Sequence, residues 1–108
     1  MELTKAQQIV DDWIQKYGVR YFNELTNTAI LMEEVGELAR IMARRYGEQS
    51  EKPSDEKADL ADEIADIFFV LMCIANQTGV NMEDAFNKNM NKKTSRDHSR
   101  HITNQKLK

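Results

Sequence analysis

Apolar residues recur at intervals of three and four along most of the chain, with polar and charged residues between them. This interval places apolar side chains on one face of an α-helix, whereas the two-residue alternation typical of β-strands is absent. Only one proline and four glycines interrupt the pattern. The sequence therefore predicts an all-α fold without strands.

Capping and stop residues delimit the first two helices. The segment from Thr4 to Gln7 has the form of a capping box, and it predicts a first helix that runs to about Tyr17 with Gly18 after its end. A long second helix is predicted over residues 24–46.

The polar segment EQSEKPSD separates the second helix from the third. Within it, Ser54 is the predicted N-cap of a third helix that extends to about Thr78. Asn81 is the predicted N-cap of a shorter fourth helix over residues 82–92.

Charge is distributed unevenly along the chain. The net charge is −3, but the segment from Lys88 to Lys108 carries seven basic residues and one acidic residue. Because its last part has few apolar side chains, we predict one domain over residues 1–93 and a mobile basic tail over 94–108. Such a tail could bind nucleic acid or close over a phosphate held by the acidic body, and composition alone does not choose.

The longest apolar run, from Ile67 to Ile74, is too short to cross a membrane. The N-terminal MELTKAQQ has neither the basic nor the apolar region of a secretory signal. The single cysteine, Cys73, lies in the apolar run, which excludes an intrachain disulfide and predicts a buried thiol. We therefore expect a cytoplasmic protein without a membrane partner.

The segments LMEEVGELARIM and LADEIADIFFVL (residues 31–42 and 60–71) repeat one pattern at a constant offset. Glu34 falls within the apolar stripe of its helix, and Glu37 lies about 60° away at the edge of the stripe. Two matching helices joined by a short loop pack most easily as an antiparallel hairpin, here the centre of a four-helix-bundle-like domain. The hairpin would bring four acidic residues to one point: Glu34, Glu37, Glu63 and Asp66.

Four carboxylates in a partly dry site repel one another, so a positive charge is expected between them. Arg45 is the only basic residue near the centre of either face, and it lies three turns from Glu34. Oxygen ligands without histidine favour a hard divalent ion, Mg²⁺ first, with Mn²⁺ or Ca²⁺ as alternatives. The absence of histidine also argues against a di-iron bundle, whose sites need Glu-x-x-His.

The run of Glu33, Glu34 and Glu37, followed by Glu63 and Asp66, resembles the signature of the MazG-type all-α nucleoside triphosphate pyrophosphohydrolases. The framing text EEVGELAR, DLADEIADIFFVL and TGVNMEDAF is similar to the metal-binding helices of that family and the entry to its next helix. The resemblance covers roughly residues 25–91.

This resemblance implies Mg²⁺-dependent hydrolysis of a nucleoside triphosphate between its α and β phosphates, which releases a monophosphate and pyrophosphate. The ligands would be Glu34, Glu37, Glu63 and Asp66. Either Glu34 or Glu37 could orient the attacking water as the catalytic residue, and the sequence does not decide between them. Glu33, about 100° from Glu34 around the helix, better fits a role supporting the ligands.

Members of the family also carry Lys, Asn and Arg residues that hold phosphate oxygens after the metal helices. The matching segment here offers Lys88, Asn91, Lys92, Lys93 and Arg96, although no single register reproduces the usual spacing. Base recognition would fall ahead of the acidic motif that begins at Glu33, where Trp13, Tyr21 and Phe22 could stack on a base and Asn27 could read its edge.

Relatives of this type form dimers or tetramers, so a homodimer or homotetramer is expected, with no nucleic acid as partner. A different class of function stays open, in which the chain is a non-catalytic helical interaction module or antitoxin-like binder with a basic tail. An enzyme requires a divalent ion and a triphosphate, whereas a binder is indifferent to both.

Overall fold

A computed structural model describes all 108 residues and contains α-helices but no strand. Short 3₁₀ or π turns occur between or after the helices. The all-α prediction is confirmed. The four helices are α1 (Leu3–Trp13), α2 (Glu24–Arg45), α3 (Leu60–Thr78) and α4 (Met82–Asp97).

The start of α1 differs from the predicted capping box. The N-cap is Glu2, and no side chain caps the helix. Gln7 is buried instead: its amide donates to Asn76 Oδ1 at 3.0 Å and to the Val80 carbonyl at 2.8 Å, and its Oε1 accepts from the Met82 backbone N–H at 2.8 Å. The prediction was wrong because Gln7 bonds partners remote in the sequence.

Helices α2 and α3 form the predicted antiparallel hairpin. At one end, Asn27 Nδ2 donates to Gln77 Oε1 at 2.8 Å, and at the other end Arg45 donates to the Ala58 carbonyl at 2.9 Å. Asn23 caps α2 by accepting from the Thr26 N–H.

The start of α3 lies later than predicted, because Asp59 and not Ser54 is its N-cap. Residues Pro53–Lys57 form a 3₁₀ turn. This turn is held by Asp55, which accepts from the Lys52 N–H at 2.7 Å and pairs with Arg44 at 3.1 Å. Both contacts lower the pKa of Asp55, the backbone bond more than the arginine.

Helix α4 begins as predicted, with Gly79 in the left-handed conformation and Asn81 capping through the Asp84 N–H. It ends at Asp97 instead of Lys92, so it crosses the predicted domain boundary at residue 93. The axes of α3 and α4 meet at 103°, and α4 packs against α1. No single helix is long and apolar enough to span a membrane, and only the bent α3–α4 pair reaches that length and hydrophobicity together.

The core of the chain is small and lies between α1 and α3. Its buried members are Val10, Ile14, Met72 and Cys73, and burial raises the pKa of the Cys73 thiol to about 11. The radius of gyration of 17.7 Å exceeds the roughly 13 Å of a compact domain of this length. Large apolar side chains of the hairpin remain exposed: Met32, Val35, Met42, Ile64, Phe68 and Leu71.

Candidate active site

Three carboxylates meet between α2 and α3. Glu34, Glu37 and Glu63 each offer an oxygen atom, and these atoms all lie within 4.8 Å of one another. Glu34 and Glu63 are half-buried because they share the apolar faces through which the helices pack, whereas Glu37 is exposed at the edge. Helical periodicity therefore places the carboxylates of α2 and α3 on the faces through which the two helices pack, so they lie close together.

The trio is electrostatically strained without a cation. The neighbouring Glu34 carboxyl raises the pKa of Glu63 to about 7, with further contributions from burial and from the charge on Glu37. Glu34 Oε2 and Glu63 Oε1 are buried without any hydrogen-bond partner. No lysine or arginine forms an ion pair with them, since the ion pairs of the chain involve only Asp55 and Asp97.

Asp66 lies outside the trio but borders it. Although Asp66 is exposed as a residue, partial desolvation of its carboxyl group raises its pKa, and the charges of Asp62, Glu34 and Glu37 raise it further. Its side chain and that of Glu34 line an adjoining pocket. Glu33 is exposed on α2 and forms no side-chain hydrogen bond. All the candidate metal ligands are carboxylate oxygens, and two of them, Glu34 Oε2 and Glu63 Oε1, are buried without a hydrogen-bond partner. Such a set of oxygen ligands fits Mg²⁺ or Mn²⁺.

The pocket has a volume of about 420 Å³ and extends from the carboxylates to the segment between α1 and α2. Trp13 and Phe69 form an edge-to-face pair with ring centroids 5.7 Å apart. Asn27, another residue predicted to contact the base, is buried and also lines the pocket. The full lining comprises Trp13, Ile14, Gly18, Arg20, Tyr21, Phe22, Asn27, Ile30, Glu34, Asp66, Phe69, Val70 and Cys73.

Sequence reasoning missed several of these lining residues. Phe69 and Cys73 follow Asp66 at intervals of three and seven, so the helical period could have assigned them to the same face. Arg20 lies in the segment YGVRYFN, which carries no periodic signal. Its placement depends on a turn that periodicity does not predict.

The residues predicted to hold phosphate are not brought to the carboxylates within one chain. Lys88, Asn91, Lys92 and Lys93 are exposed on α4 and form no side-chain hydrogen bond. Arg96 pairs with Asp97 at 2.9 Å, and Arg100 bonds the same carboxylate at 3.3 Å. These arginines lower the pKa of Asp97 and tie together the end of α4.

Two relatives match most of this chain in sequence. YpjD of Bacillus subtilis (strain 168) is 39% identical over 94 residues, which cover 87% of this chain and 85% of that protein. YvdC of the same organism is 28% identical over 102 residues, covering 89% of this chain and 96% of that protein.

Two crystal structures share the fold. YPJD from Bacillus subtilis, for which a pyrophosphatase activity has been proposed, has a TM-score of 0.79 at 37% identity, covering 90% of this chain and 97% of that one. The Bacillus-conserved MazG protein, a nucleotide pyrophosphohydrolase, has a TM-score of 0.71 at 35% identity, covering 85% and 88%.

A family model also matches most of the chain. The MazG nucleotide pyrophosphohydrolase domain aligns with residues 22–101, which include both helices of the hairpin and all of α4. This match contains the three clustered carboxylates and Asp66. The sequence, the helical hairpin and its acidic site thus agree, and the chain belongs to the MazG family of nucleotide pyrophosphohydrolases.

Proposed function

We propose that this enzyme hydrolyses nucleoside triphosphates to the monophosphate and pyrophosphate in a reaction that requires Mg²⁺, with Mn²⁺ as a substitute. The observation that carries the proposal is the pair of buried, unpartnered oxygens on Glu34 and Glu63. A buried carboxylate without a partner is costly, and a divalent cation supplies the missing positive charge.

Four residues would hold the ion: Glu34, Glu37, Glu63 and Asp66. When bound, it neutralises the phosphate oxygens and favours attack at the bond between the α and β phosphates. Either Glu37, the exposed member of the trio, or Glu34 can accept the proton of the attacking water. Glu63 would remain a ligand of the ion between the helices. Glu33 supports the ligands from the neighbouring position.

The pocket beside the carboxylates suits the nucleoside. Its aromatic walls, Trp13 and Phe69, offer apolar surface to a planar base. Asn27 has its Nδ2 engaged by the Phe22 carbonyl and by Gln77, so it presents an acceptor oxygen to a base N–H. Glu34 and Asp66 line the same pocket, so a base held there would direct its phosphates toward the trio.

We further propose that the protein works as a homodimer or a homotetramer built from dimers. The exposed apolar residues of the hairpin occupy matching positions in the repeat: Val35 corresponds to Ile64, and Met42 to Leu71. A second copy would cover this surface and complete a helical bundle. The basic residues of α4, from Lys88 to Arg96, would then be available to the phosphates at a neighbouring subunit's site.

The decisive experiment is a screen of ribo- and deoxyribonucleoside triphosphates with detection of pyrophosphate, with Mg²⁺ and with EDTA. We expect turnover that depends on the ion and is lost in Glu37→Gln. Release of orthophosphate in place of pyrophosphate would contradict the proposed bond cleavage. Turnover unaffected by EDTA would contradict the role of the ion.

The alternative of a non-catalytic binder has less support, because the family is one of pyrophosphohydrolases and the carboxylates form one cluster. If the protein were a non-catalytic binder, it would bind neither Mg²⁺ nor a triphosphate. Calorimetric titration with Mg²⁺ separates the two, since the cluster should bind the ion and Glu63→Gln should weaken that binding.

A further inference from the structure

The segment between α1 and α2 forms one wall of the pocket and is strained. The π turn that follows α1 ends at Gly18, and Val19 has φ 70° and ψ −57°. The Arg20 N–H donates to the Gly18 carbonyl at 2.8 Å, which completes a γ-turn of the rare form. A β-branched residue adopts this conformation only where surrounding contacts hold it.

Two adjacent amides at the end of α3 supply such contacts. Asn76 Nδ2 donates to the Tyr21 hydroxyl at 3.0 Å, and the Gln77 amide donates to the Phe22 carbonyl. The Tyr21 hydroxyl in turn donates to Asp11 Oδ1 at 2.5 Å. Burial and this bond raise the pKa of Tyr21 to about 12, so the phenol keeps its proton at neutral pH.

Further bonds fix the orientation of both amides. Gln77 Oε1 accepts from Asn27 Nδ2 at 2.8 Å, while its nitrogen faces a carbonyl that can only accept. Asn76 donates to the Gln7 carbonyl at 3.0 Å and accepts from the Gln7 amide at 3.0 Å. Neither amide can therefore be exchanged for a group that only accepts without breaking a bond to the wall.

We propose that Asn76 and Gln77 are positioning residues that hold the pocket wall at Tyr21 and Phe22 in its substrate-binding place, an inference that rests on the proposed function. Neither amide lines the pocket, so both act through lining residues, Asn76 through Tyr21 and Gln77 through Phe22 and its bond to Asn27. Gln77 lies 14 residues beyond Glu63, about 20 Å along α3. Loosening the wall therefore weakens binding of the nucleoside and leaves the carboxylates in place.

The test compares Gln77→Met with Gln8→Met. Methionine keeps the length of glutamine but cannot donate, and Gln8 is an exposed amide of α1 that bonds only Asp12. In steady-state hydrolysis with Mg²⁺, Gln77→Met should raise KM about tenfold and change kcat by less than about threefold. Gln8→Met should match the wild type. The proposal is overturned if KM is unchanged in Gln77→Met, or if kcat falls by as large a factor as KM rises.

A readout without catalysis separates this inference from the proposed function. Hydrogen exchange of the backbone amides over residues 19–24 should be faster in Gln77→Met than in the wild type. Tyr21→Phe, which removes one hydroxyl and keeps the ring, should show the same increase and serves where Gln77→Met folds poorly. If the wild type hydrolyses no triphosphate, the proposed function fails, but the exchange rates still test the positioning role of the amides. If both variants exchange at the rate of the wild type, the positioning role is wrong.

Discussion

Replacing Glu63 by glutamine should stabilise the protein in the absence of metal. The Glu34 carboxyl, burial and the charge of Glu37 together raise the pKa of Glu63 from its ordinary value of 4.5 to about 7. Below pH 4.5 the group is protonated in both the folded and the unfolded states. As the pH rises toward 7, the unfolded state releases its proton first, so the free energy of unfolding falls.

The size of this loss follows from the pKa difference. Each pKa unit corresponds to about 1.4 kcal/mol, so the full difference from 4.5 to about 7 sets an upper bound of roughly 3.4 kcal/mol. Glu63 is only half-buried, and solvent screens its neighbours, so we expect about 1–2 kcal/mol. Glutamine imitates the protonated form, and Glu63→Gln should therefore be more stable than the wild type by this amount at pH 8 and equal to it at pH 4.

The assay is urea unfolding in EDTA at a fixed protein concentration between pH 4 and pH 8. Glu48→Gln, at an exposed carboxylate in the loop after α2, is the control and should follow the wild type. Adding Mg²⁺ should reverse the order, because an ion at a hundred times its Kd stabilises the wild type by about 2.7 kcal/mol and the glutamine variant by less. Equal stability of Glu63→Gln and the wild type at pH 8 in EDTA would refute the reasoning.

Three other perturbations test separate parts of the structure. Val19→Gly should raise the free energy of unfolding by about 1 kcal/mol, because relief of the backbone strain outweighs the entropy that glycine adds to the unfolded state. Val80→Gly, at a residue without positive φ, should lower the free energy of unfolding. Thermal unfolding measures both changes. Met72→Ala, at a side chain that is 1% exposed, should cost about 2–5 kcal/mol in urea unfolding, and Met90→Ala, at 44% exposure, under about 1 kcal/mol. The double change Lys92→Gln and Lys93→Gln should raise KM about threefold to tenfold in low salt, and a KM difference that persists in 1 M salt would contradict an electrostatic contact.

The sequence by itself determined the helices and the positions of the acidic residues on them. The 3.6-residue period is a local property, so it places Glu34 and Glu37 on one stripe and their counterparts on the matching stripe without knowledge of the rest of the chain. The predicted hairpin is confirmed, and Glu34, Glu37 and Glu63 do meet. The family resemblance drawn from these residues is confirmed as well.

Only the tertiary structure decided the features that depend on remote partners. Gln7 was expected to cap its own helix, yet it bonds residues 69 to 75 positions away. Asp55 pairs with Arg44 within the 3₁₀ turn that occupies the predicted start of α3. The pocket wall likewise depends on a strained turn at Val19 and on amides at the end of α3. The period of apolar residues and the preference of residues for caps predict only structure formed within one segment of the chain. A long-range hydrogen bond satisfies the same polar groups elsewhere, and its partner is known only once the helices have packed.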